Sequence, residues 1–245
     1  MRSIHEPEAR AFVAKAEALA NDSAPPPPSL PGYIASWIAD RIQFGDFKPG
    51  DPIRELMVAD HFDVSRGPVR DAFRLLDRDG LITINGRKGA SVRAFSRVEI
   101  AALFRIRAEL FGAQAGLAAT AKGRDQQVLA ALIEGAELLA TLAAADPPAP
   151  VGEYITVRRA TSWLISFISG NAYMAALLAQ LEREVSVLWA TVLSPDRRRQ
   201  SAVNWKALCQ AVHDGDAVQA EALGAALVLD GLAEIERRWT DAAHR

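Results

Sequence analysis

The sequence predicts a mainly α protein with an N-terminal winged helix-turn-helix followed by an all-α antiparallel helical bundle. Half of its 245 residues are hydrophobic, and the helix-favouring alanine and leucine outnumber the β-branched residues. Between residues 30 and 95, two helix patterns, a turn, a third helix and a short hairpin follow one another. From residue 96 onward every segment has helical periodicity, with short breaks between segments. The chain is long enough for two domains of ordinary size.

Residues 1–29 are predicted to be an N-terminal extension with a Pro-rich linker. A short helical pattern covers residues 8–19, and four consecutive prolines follow at positions 25–28. Consecutive prolines favour an extended polyproline segment and exclude a helix. The expected domains are therefore this extension, residues 30–95 and residues 96–245.

The helix-turn-helix prediction depends on three short segments. Isoleucines repeat at helical spacing from Ile34 to Ile42, which predicts an amphipathic helix that ends near Gly45. The segment FKPGDPI is expected to be a turn, and a second short helix is expected over residues 54–61. After a turn at FDV, Ser65 is a suitable N-cap for the third helix.

A β-hairpin is predicted directly after the third helix. Strand-forming residues at 81–84 and 91–95 flank a tip that contains two glycines and two basic residues, Arg87 and Lys88. A hairpin in this position is the wing of a winged helix-turn-helix.

The third helix carries arginines at every fourth position: Arg66, Arg70, Arg74 and Arg78. This spacing places them along one stripe of the helix, where their guanidinium groups suit phosphates and guanine edges in a DNA groove. The alternative is an ordinary solvated face, since three aspartates interleave with the arginines. Two of them, Asp77 and Asp79, could partly neutralise Arg74 and Arg78 by local pairing. The surrounding helix-turn-helix pattern favours DNA binding.

Residues 96–245 are predicted to form six helices. Ser96 and Glu99 have the spacing of a capping box, which predicts a helix that ends near Lys122. The other helices are expected over residues 125–142, 153–168, 171–193, 199–214 and 216–242. Short connections between helices of this length predict an antiparallel bundle.

Charge, cysteine content and hydropathy limit the possible classes of protein. The net charge is −2, so any nucleic-acid surface must be a local arrangement of charge. The one cysteine, Cys209, excludes an intramolecular disulfide and a cysteine-based zinc site and is expected to be a buried thiol. No uninterrupted apolar run approaches the ~20 residues of a membrane span, and the N-terminus does not resemble a secretory signal. A cytoplasmic location without membrane association is therefore expected. The chain has no Gly-rich phosphate loop, nucleophile elbow or HExxH motif, and we do not expect an enzyme.

Several motifs of the first predicted domain follow a fixed order. They are PG..I.E (Pro49, Gly50, Ile53 and Glu55), VSRGPVRDAF, DGLI and GRKGASV. Together they resemble the GntR family of bacterial transcription regulators. In the remainder, LFRIRAELFGAQAGLAA, SGNAYMAALL and AVHDGDAVQAEAL resemble the FCD effector-binding domain of the FadR-like subfamily. The resemblance implies a regulator that binds double-stranded operator DNA as a homodimer.

The resemblance also implies which residues contact DNA. The positions that enter the major groove are matched by Ser65, Arg66, Gly67 and Arg70. Arg54 matches a position that commonly reaches the operator. The wing, which lies along the minor groove or the backbone, is matched by Arg87, Lys88 and Gly89.

FCD domains often hold a divalent metal through one aspartate and three histidines. Counting from the matched motifs, these positions are occupied by Arg158, Ser162, Trp205 and Leu227. None of the four side chains is a suitable ligand of that kind. We therefore expect neither a metal nor another cofactor.

An effector pocket in such a domain would depend on other side chains. An inward Arg158, helped by Arg107, could hold a carboxylate effector bidentately. Alternatively, Arg158 pairs with Glu153 or another acid, or points to solvent. Trp205 could fill part of the pocket or face an apolar ligand. The remaining candidates are Ser162, Tyr173 and Asn204. For Tyr173 and Asn204, the alternative is a role in the core or on the surface.

Two functions remain consistent with the sequence. The first is a homodimeric repressor that binds operator DNA and whose helical domain senses a small organic effector without a metal. The second is a DNA-binding dimer in which the FCD-like domain is a dimerisation scaffold and binds no effector.

Overall fold

The computed structural model describes residues 6–20, 29–86 and 89–243, which cluster into two compact units. The smaller unit contains the described part of Pro25–Glu99 together with Gln180–Thr191, and the larger unit contains the other described residues. The fold is mainly helical with one small sheet, which confirms the predicted fold class.

The described helices are α1 (Glu6–Ala20), α2 (Leu30–Phe44), α3 (Glu55–Phe62), α4 (Arg66–Arg78), α5 (Arg97–Thr120), α6 (Gln126–Ala144), α7 (Val151–Ser169), α8 (Ala172–Val192), α9 (Pro195–Asp214) and α10 (Ala217–Ala243). The described strands are β1 (Pro52–Ile53), β2 (Ile82–Ile84) and β3 (Ala90–Val92).

The smaller unit is built on α2, α3 and α4, as the sequence predicts. Ser29 caps α2, since its hydroxyl accepts a hydrogen bond from the Gly32 N–H at 3.3 Å. The helix ends at Gly45 in a left-handed conformation. The isoleucines from Ile34 to Ile42 are fully buried, and α2 packs against α4. The predicted amphipathic helix is therefore confirmed.

The sheet is antiparallel, with the strand order β1-β3-β2. Ser91 in β3 lies opposite Pro52 on one side and Thr83 on the other. The predicted hairpin is confirmed with shorter strands. The third strand corrects the assignment of FKPGDPI to a turn, because its last two residues form β1. A strand of two residues has no alternating pattern that a sequence could reveal.

The larger unit is a helical bundle in which α6 packs against α1, α7 and α9, and α9 packs against α10. Helices α5 and α10 approach closely at glycines. A Cβ atom on Gly112 would lie only 2.8 Å from the Glu221 carbonyl oxygen, and one on Gly224 would lie 3.1 Å from the Gly112 Cα. The absence of side chains at these positions allows the two helices to make direct backbone contact.

The first helix belongs to this larger unit, which corrects its assignment to a separate N-terminal extension. Its Phe12 is 2% exposed and lies over Gly135 of α6, where a Cβ atom would be 2.6 Å from the phenyl ring. Lys15 forms an ion pair with Glu134 at 2.5 Å. The contacts that place α1 are therefore with residues more than 100 positions away in the chain.

Local side chains cap the N-termini of two bundle helices, α5 and α9. Ser96 and Glu99 form the predicted capping box, with hydrogen bonds of 2.8 Å from the Ser96 N–H and 3.2 Å from the Glu99 N–H. Helix α9 begins earlier than expected, because Ser194 is its N-cap and Pro195 its first residue. The predicted range of residues 199–214 therefore starts four residues too late.

Cys209 and helix α6 are both packed inside the larger unit, fully and in part respectively. Cys209 is fully buried, as predicted, and burial raises the pKa of its thiol. Helix α6 is long and apolar enough to cross a bilayer by length and composition alone, but half of that stretch is buried inside the bundle.

Candidate nucleic-acid interface and ligand pocket

A tight turn joins α3 to α4. Asp63 ends α3 in a left-handed conformation with φ of 52°, which a short polar side chain tolerates better than most. The N–H of Val64 then donates to the Ala59 carbonyl at 3.0 Å. The chain reverses within a few residues, and the predicted turn is confirmed.

Helix α4 has one buried face and one basic face. Its buried residues, each at most 2% exposed, are Val69, Ala72, Phe73 and Leu76. The four arginines are exposed. The helix is thus anchored in the core of the smaller unit and presents guanidinium groups to solvent, as the spacing predicts.

The two arginines nearest the start of α4 have different surroundings. Arg66 forms no ion pair with any residue in the part of the chain that the structure describes. The Nε atom of Arg70 contacts both carboxylate oxygens of Glu55, at 3.1 and 3.0 Å. Because only Nε makes these contacts, Nη1 and Nη2 remain available to a further acceptor. The contact also brings the second turn of α4 next to the start of α3.

The two later arginines lie beside acids. Arg74 pairs with Asp71 at 2.6 Å, and Arg78 Nε lies 3.9 Å from Asp79. Exposed pairs of this kind are weak, at roughly 0–1 kcal/mol, yet they lower the local positive charge. The structure agrees with the expected neutralisation, although Arg74 pairs with Asp71 and not with the aspartates that follow it.

The start of α4 exposes backbone N–H groups. Ser65 is the N-cap residue, as predicted, but its hydroxyl accepts no hydrogen bond from the helix. Gly67 is exposed, and a Cβ atom there would meet only the Ser65 Oγ, at 3.8 Å. A positive helix end with open space above it suits the approach of an anion.

Arg54 and the base of the wing lie close to this surface. Arg54 is the N-cap residue of α3, is exposed, and forms no ion pair among the described residues. Gly89 has φ of +93°, and a Cβ atom on it would lie 2.7 Å from the Ile53 carbonyl oxygen. Glycine is needed there because the wing packs directly on the backbone that leads to Arg54. The wing residues Arg87 and Lys88 lie outside the described residues.

Side chains of α8 support the wing and the end of α4, and sequence reasoning missed them. Glu184, whose side chain is 14% exposed, accepts a hydrogen bond from Arg93 Nη1 at 3.2 Å. Arg183 Nε lies 3.7 Å from Asp79 Oδ1. These partners are about a hundred positions apart in the chain, so no local pattern could have indicated them.

Three of the candidate pocket residues are buried in the larger unit. Arg107 and Arg158 are each 6% exposed, and Trp205 is 1% exposed. The alternative in which Arg158 points to solvent is therefore wrong. The Arg107 guanidinium lies 5.5 Å from the Phe104 ring centroid, and Trp205 packs against Phe111 with centroids 5.9 Å apart.

The other three candidates are less enclosed. Ser162 is half-buried on α7. The half-buried amide of Asn204 donates to Asp230 at 2.6 Å and its oxygen accepts from Gln200 at 3.0 Å, so its hydrogen bonds are made locally. Tyr173 is 88% exposed on α8, which corrects its assignment to a pocket.

The positions that the resemblance matches to metal ligands do not fit a metal. Arg158 and Trp205 are buried, Ser162 is half-buried, and Leu227 is 9% exposed. A guanidinium repels a cation, and indole and leucine side chains offer no suitable lone pair. Within the described ranges, no three His, Cys, Asp or Glu side chains are grouped so that they could hold a metal ion.

A buried polar group on α7 and α9 was missed by the sequence analysis. Tyr154 is fully buried, and its hydroxyl donates to the Arg198 carbonyl oxygen at 3.3 Å. Burial raises the pKa of Tyr154 to about 12, against the smaller lowering effects of a hydrogen bond with Ser201 and of nearby arginine charges. Arg198 and Ser201 are themselves 4% and 5% exposed. In the sequence, this part of α9 (DRRRQS) looks like an exposed charged face.

Comparison with known proteins identifies both halves of the chain. The family of bacterial regulatory proteins called gntR matches residues 33–92. The FCD domain matches residues 102–229, just over half of the chain.

Curated relatives align over parts of their length. HTH-type transcriptional regulator YdhC of Bacillus subtilis (strain 168) is 41% identical over 66 residues, 27% of this chain and 30% of that protein. HTH-type transcriptional repressor GlaR of Escherichia coli (strain K12) is 31% identical over 118 residues, 48% of this chain and 52% of that protein. The aligned segments therefore span between about a third and a half of the length of these relatives.

Solved structures show the same fold. E. coli McbR/YncC has a TM-score of 0.75 at 20% identity, covering 87% of this chain and 100% of that chain. A putative transcriptional regulator GntR from Rhodococcus sp. RHA1 has a TM-score of 0.67 at 20% identity, covering 84% of this chain and 96% of that chain. Sequence, fold and domain order agree, and the chain belongs to the GntR family of DNA-binding transcription regulators, with an FCD domain after the winged helix-turn-helix.

Proposed function

We propose that the protein is a cytoplasmic, homodimeric repressor that binds operator DNA through α4 and is released by a small organic effector held in the FCD domain without a metal. The observation that carries the DNA-binding part is the start of α4. There, an arginine without an ion pair among the described residues adjoins an exposed glycine at a positive helix end.

The roles of individual residues follow from their positions. Ser65, Arg66, Gly67 and Arg70 enter the major groove, with Arg66 and Arg70 one turn apart on the exposed face. Glu55 orients Arg70 through Nε, so that its two terminal nitrogens can contact a guanine edge or a phosphate. Arg54 contacts the backbone beside this surface. The wing residues Arg87, Lys88 and Gly89 lie along the minor groove or the backbone.

Arg66→Ala and Arg74→Ala form a matched pair for testing this surface. If Arg66 reads a base, its loss should cost ~1–3 kcal/mol of binding free energy and relax sequence preference. Arg74→Ala should change binding much less, because its guanidinium already pairs with Asp71. Fluorescence anisotropy measures the DNA affinity of the two variants. Each variant is tested on a fragment from upstream of the protein's own gene and on a scrambled fragment.

The outcomes of this experiment distinguish base contact from phosphate contact by Arg66. Equal weakening by Arg66→Ala on both fragments would assign Arg66 to phosphate contact alone. An equal loss in the two variants would contradict the proposed surface. So would failure of the wild-type protein to bind any fragment from its own chromosomal neighbourhood at low ionic strength.

The proposed dimer is supported by exposed apolar side chains on α5 and α8. Ile106 and Leu117 on α5 are 53% and 43% exposed, and Tyr173 and Leu177 on α8 are 88% and 53% exposed. Groups of exposed apolar side chains commonly mark protein interfaces. Two copies would also present two recognition helices to a palindromic site. Light scattering coupled to gel filtration measures the oligomeric state, and a strict monomer would contradict the proposed dimer.

The proposed effector pocket is supported by buried donors that lack acceptors. Trp205 Nε1 and Gln114 Nε2 have no hydrogen-bond partner among the described residues. Each such donor costs about 1–3 kcal/mol, which an effector oxygen could offset. Arg107, Arg158 and Ser162 complete the proposed pocket, which would take a small carboxylate or an apolar molecule.

A thermal-shift screen against carboxylates, acyl-CoAs and sugars tests effector binding, because a ligand of the folded state raises the melting temperature. A hit should also lower the affinity for the DNA fragment. Silence across the whole screen would favour the alternative, in which the FCD domain is a dimerisation scaffold.

A further inference from the structure

Three arginines lie around the phenol of Tyr154 in the larger unit. Tyr154 is in the first turn of α7, and Arg197 and Arg198 are in the first turn of α9. The charges of these two and of Arg158 all act on the phenol, which is also hydrogen-bonded to Ser201. The Tyr154 hydroxyl, which donates to the Arg198 carbonyl oxygen, links the two helices directly.

The cluster has more buried donors than acceptors. Arg198 Nη1 donates to the Ala149 carbonyl at 2.6 Å. Its Nε and the Nη1 of Arg197 are buried, and neither has a hydrogen-bond partner within the described part of the chain. Neither Arg197 nor Arg198 forms an ion pair among the residues that the structure describes. The carboxylate of Glu153, the residue before Tyr154 in the chain, does not fill this role, since its Oε2 is buried with no hydrogen-bond partner among the described residues. Buried guanidinium N–H groups that lack an acceptor are costly, and an anion would supply one.

We propose that the first turns of α7 and α9 form an oxyanion site in which Arg197 and Arg198, beside Tyr154 and Ser201, hold the carboxylate or phosphate group of a ligand. The unpartnered N–H groups of the two arginines would donate to the oxyanion, and charge-assisted bonds of this kind are the strong ones. The positive ends of two helices add to the attraction. Arg197 is half-buried, so the site reaches the surface at that side chain.

The site lies beside Arg158 of the proposed effector pocket, but its own residues are not those that the family resemblance implies. Its use as an effector site rests on the proposed function, whereas its ability to bind an oxyanion does not. The proposal adds that the effector is anionic and that its charged group lies at the ends of α7 and α9.

Binding is tested with inorganic phosphate and with succinate, each compared with chloride at the same ionic strength. We expect at least one of the two oxyanions to raise the melting temperature of the full-length protein above the chloride value. The phosphate and succinate arms distinguish a phosphorylated ligand from a carboxylate. If neither oxyanion has an effect beyond that of chloride, the site is refuted.

Arg197→Gln and Arg199→Gln form a matched pair of variants. Arg199 is exposed and paired with Asp196 at the surface, so its loss should leave oxyanion binding unchanged. Arg197→Gln should weaken binding about tenfold or more, since a hydrogen bond to a charged group is lost. Circular dichroism in chloride checks that both variants fold. Tyr154→Phe, which removes one hydroxyl of the cluster, is a further variant. Equal effects of Arg197→Gln and Arg199→Gln would refute the site.

A DNA-binding measurement in the presence of the bound oxyanion separates this inference from the proposed function. Stabilisation that depends on Arg197 but leaves DNA affinity unchanged would support the site and contradict effector sensing through it. An effector that releases DNA equally well from Arg197→Gln would support sensing and contradict the use of this site by the effector.

Discussion

Replacing Gly67 with alanine should stabilise the folded protein while weakening its binding to DNA. The two effects have separate physical causes. In the free protein, the new Cβ atom would meet only the Ser65 Oγ, at 3.8 Å, which is an ordinary contact. In the DNA complex, the same methyl group would occupy the space through which a phosphate approaches the uncapped N–H groups of α4.

The magnitudes can be estimated from this geometry. Alanine is favoured over glycine inside a helix by about 0.5–1 kcal/mol, and less in the first turn. For a chain of this size, about 1 kcal/mol corresponds to a rise of roughly 2–4 °C in the melting temperature, which is the upper limit here. Loss of one hydrogen bond to a charged phosphate costs about 1.5–3 kcal/mol, or tenfold or more in affinity.

Differential scanning fluorimetry and fluorescence anisotropy at one fixed salt concentration measure the two effects. Arg74→Ala is the control, because it also changes an exposed residue of α4 but lies away from the helix start. A fall in the melting temperature would show that the space above Gly67 is not open. Unchanged DNA affinity would refute the approach of a phosphate to this end of α4.

Two further predictions concern the larger unit. Gly112→Ala should lower the free energy of unfolding by about 1–3 kcal/mol through overpacking, because the Glu221 carbonyl oxygen lies 2.8 Å from the new Cβ. Urea unfolding should show a smaller loss for Gly116→Ala, whose nearest contact is 3.3 Å, and the reverse order would contradict the argument. Hydrogen bonding to Arg237 lowers the pKa of Glu234, so its contribution to stability is present near neutral pH and is lost as the pH falls below about 4.3. Glu234→Gln should therefore flatten the acid limb of a plot of melting temperature against pH, and an unchanged slope would exclude this contribution.

Local signals in the sequence were sufficient to predict helix α4 and the hairpin that follows it. The arginine spacing of α4, the turn at Asp63 and the paired strands of the hairpin all depend on residues close together in the chain, and the structure agrees with each. Helix periodicity and breaks likewise predicted most of the bundle. Such features can be predicted because backbone conformation responds first to neighbouring residues.

Other features required contacts between distant residues. Ser65 was correctly placed at the helix start, yet whether its hydroxyl caps the helix depends on its orientation, which the sequence does not specify. Tyr173 was a candidate for the pocket with a surface role as the alternative, and α8 exposes it. The burial of Arg158 could not be decided between two alternatives, because an arginine on an amphipathic helix can face either way.

The sequence alone therefore determined the fold class, the order of elements and the helix that presents four arginines, because these depend on spacing along the chain. Only the tertiary structure decided that Glu55 holds Arg70, that α1 packs over Gly135, and that the ends of α7 and α9 gather buried arginines around Tyr154. Each of these joins residues from different elements, and the energy of such a contact exists only after packing has brought them together.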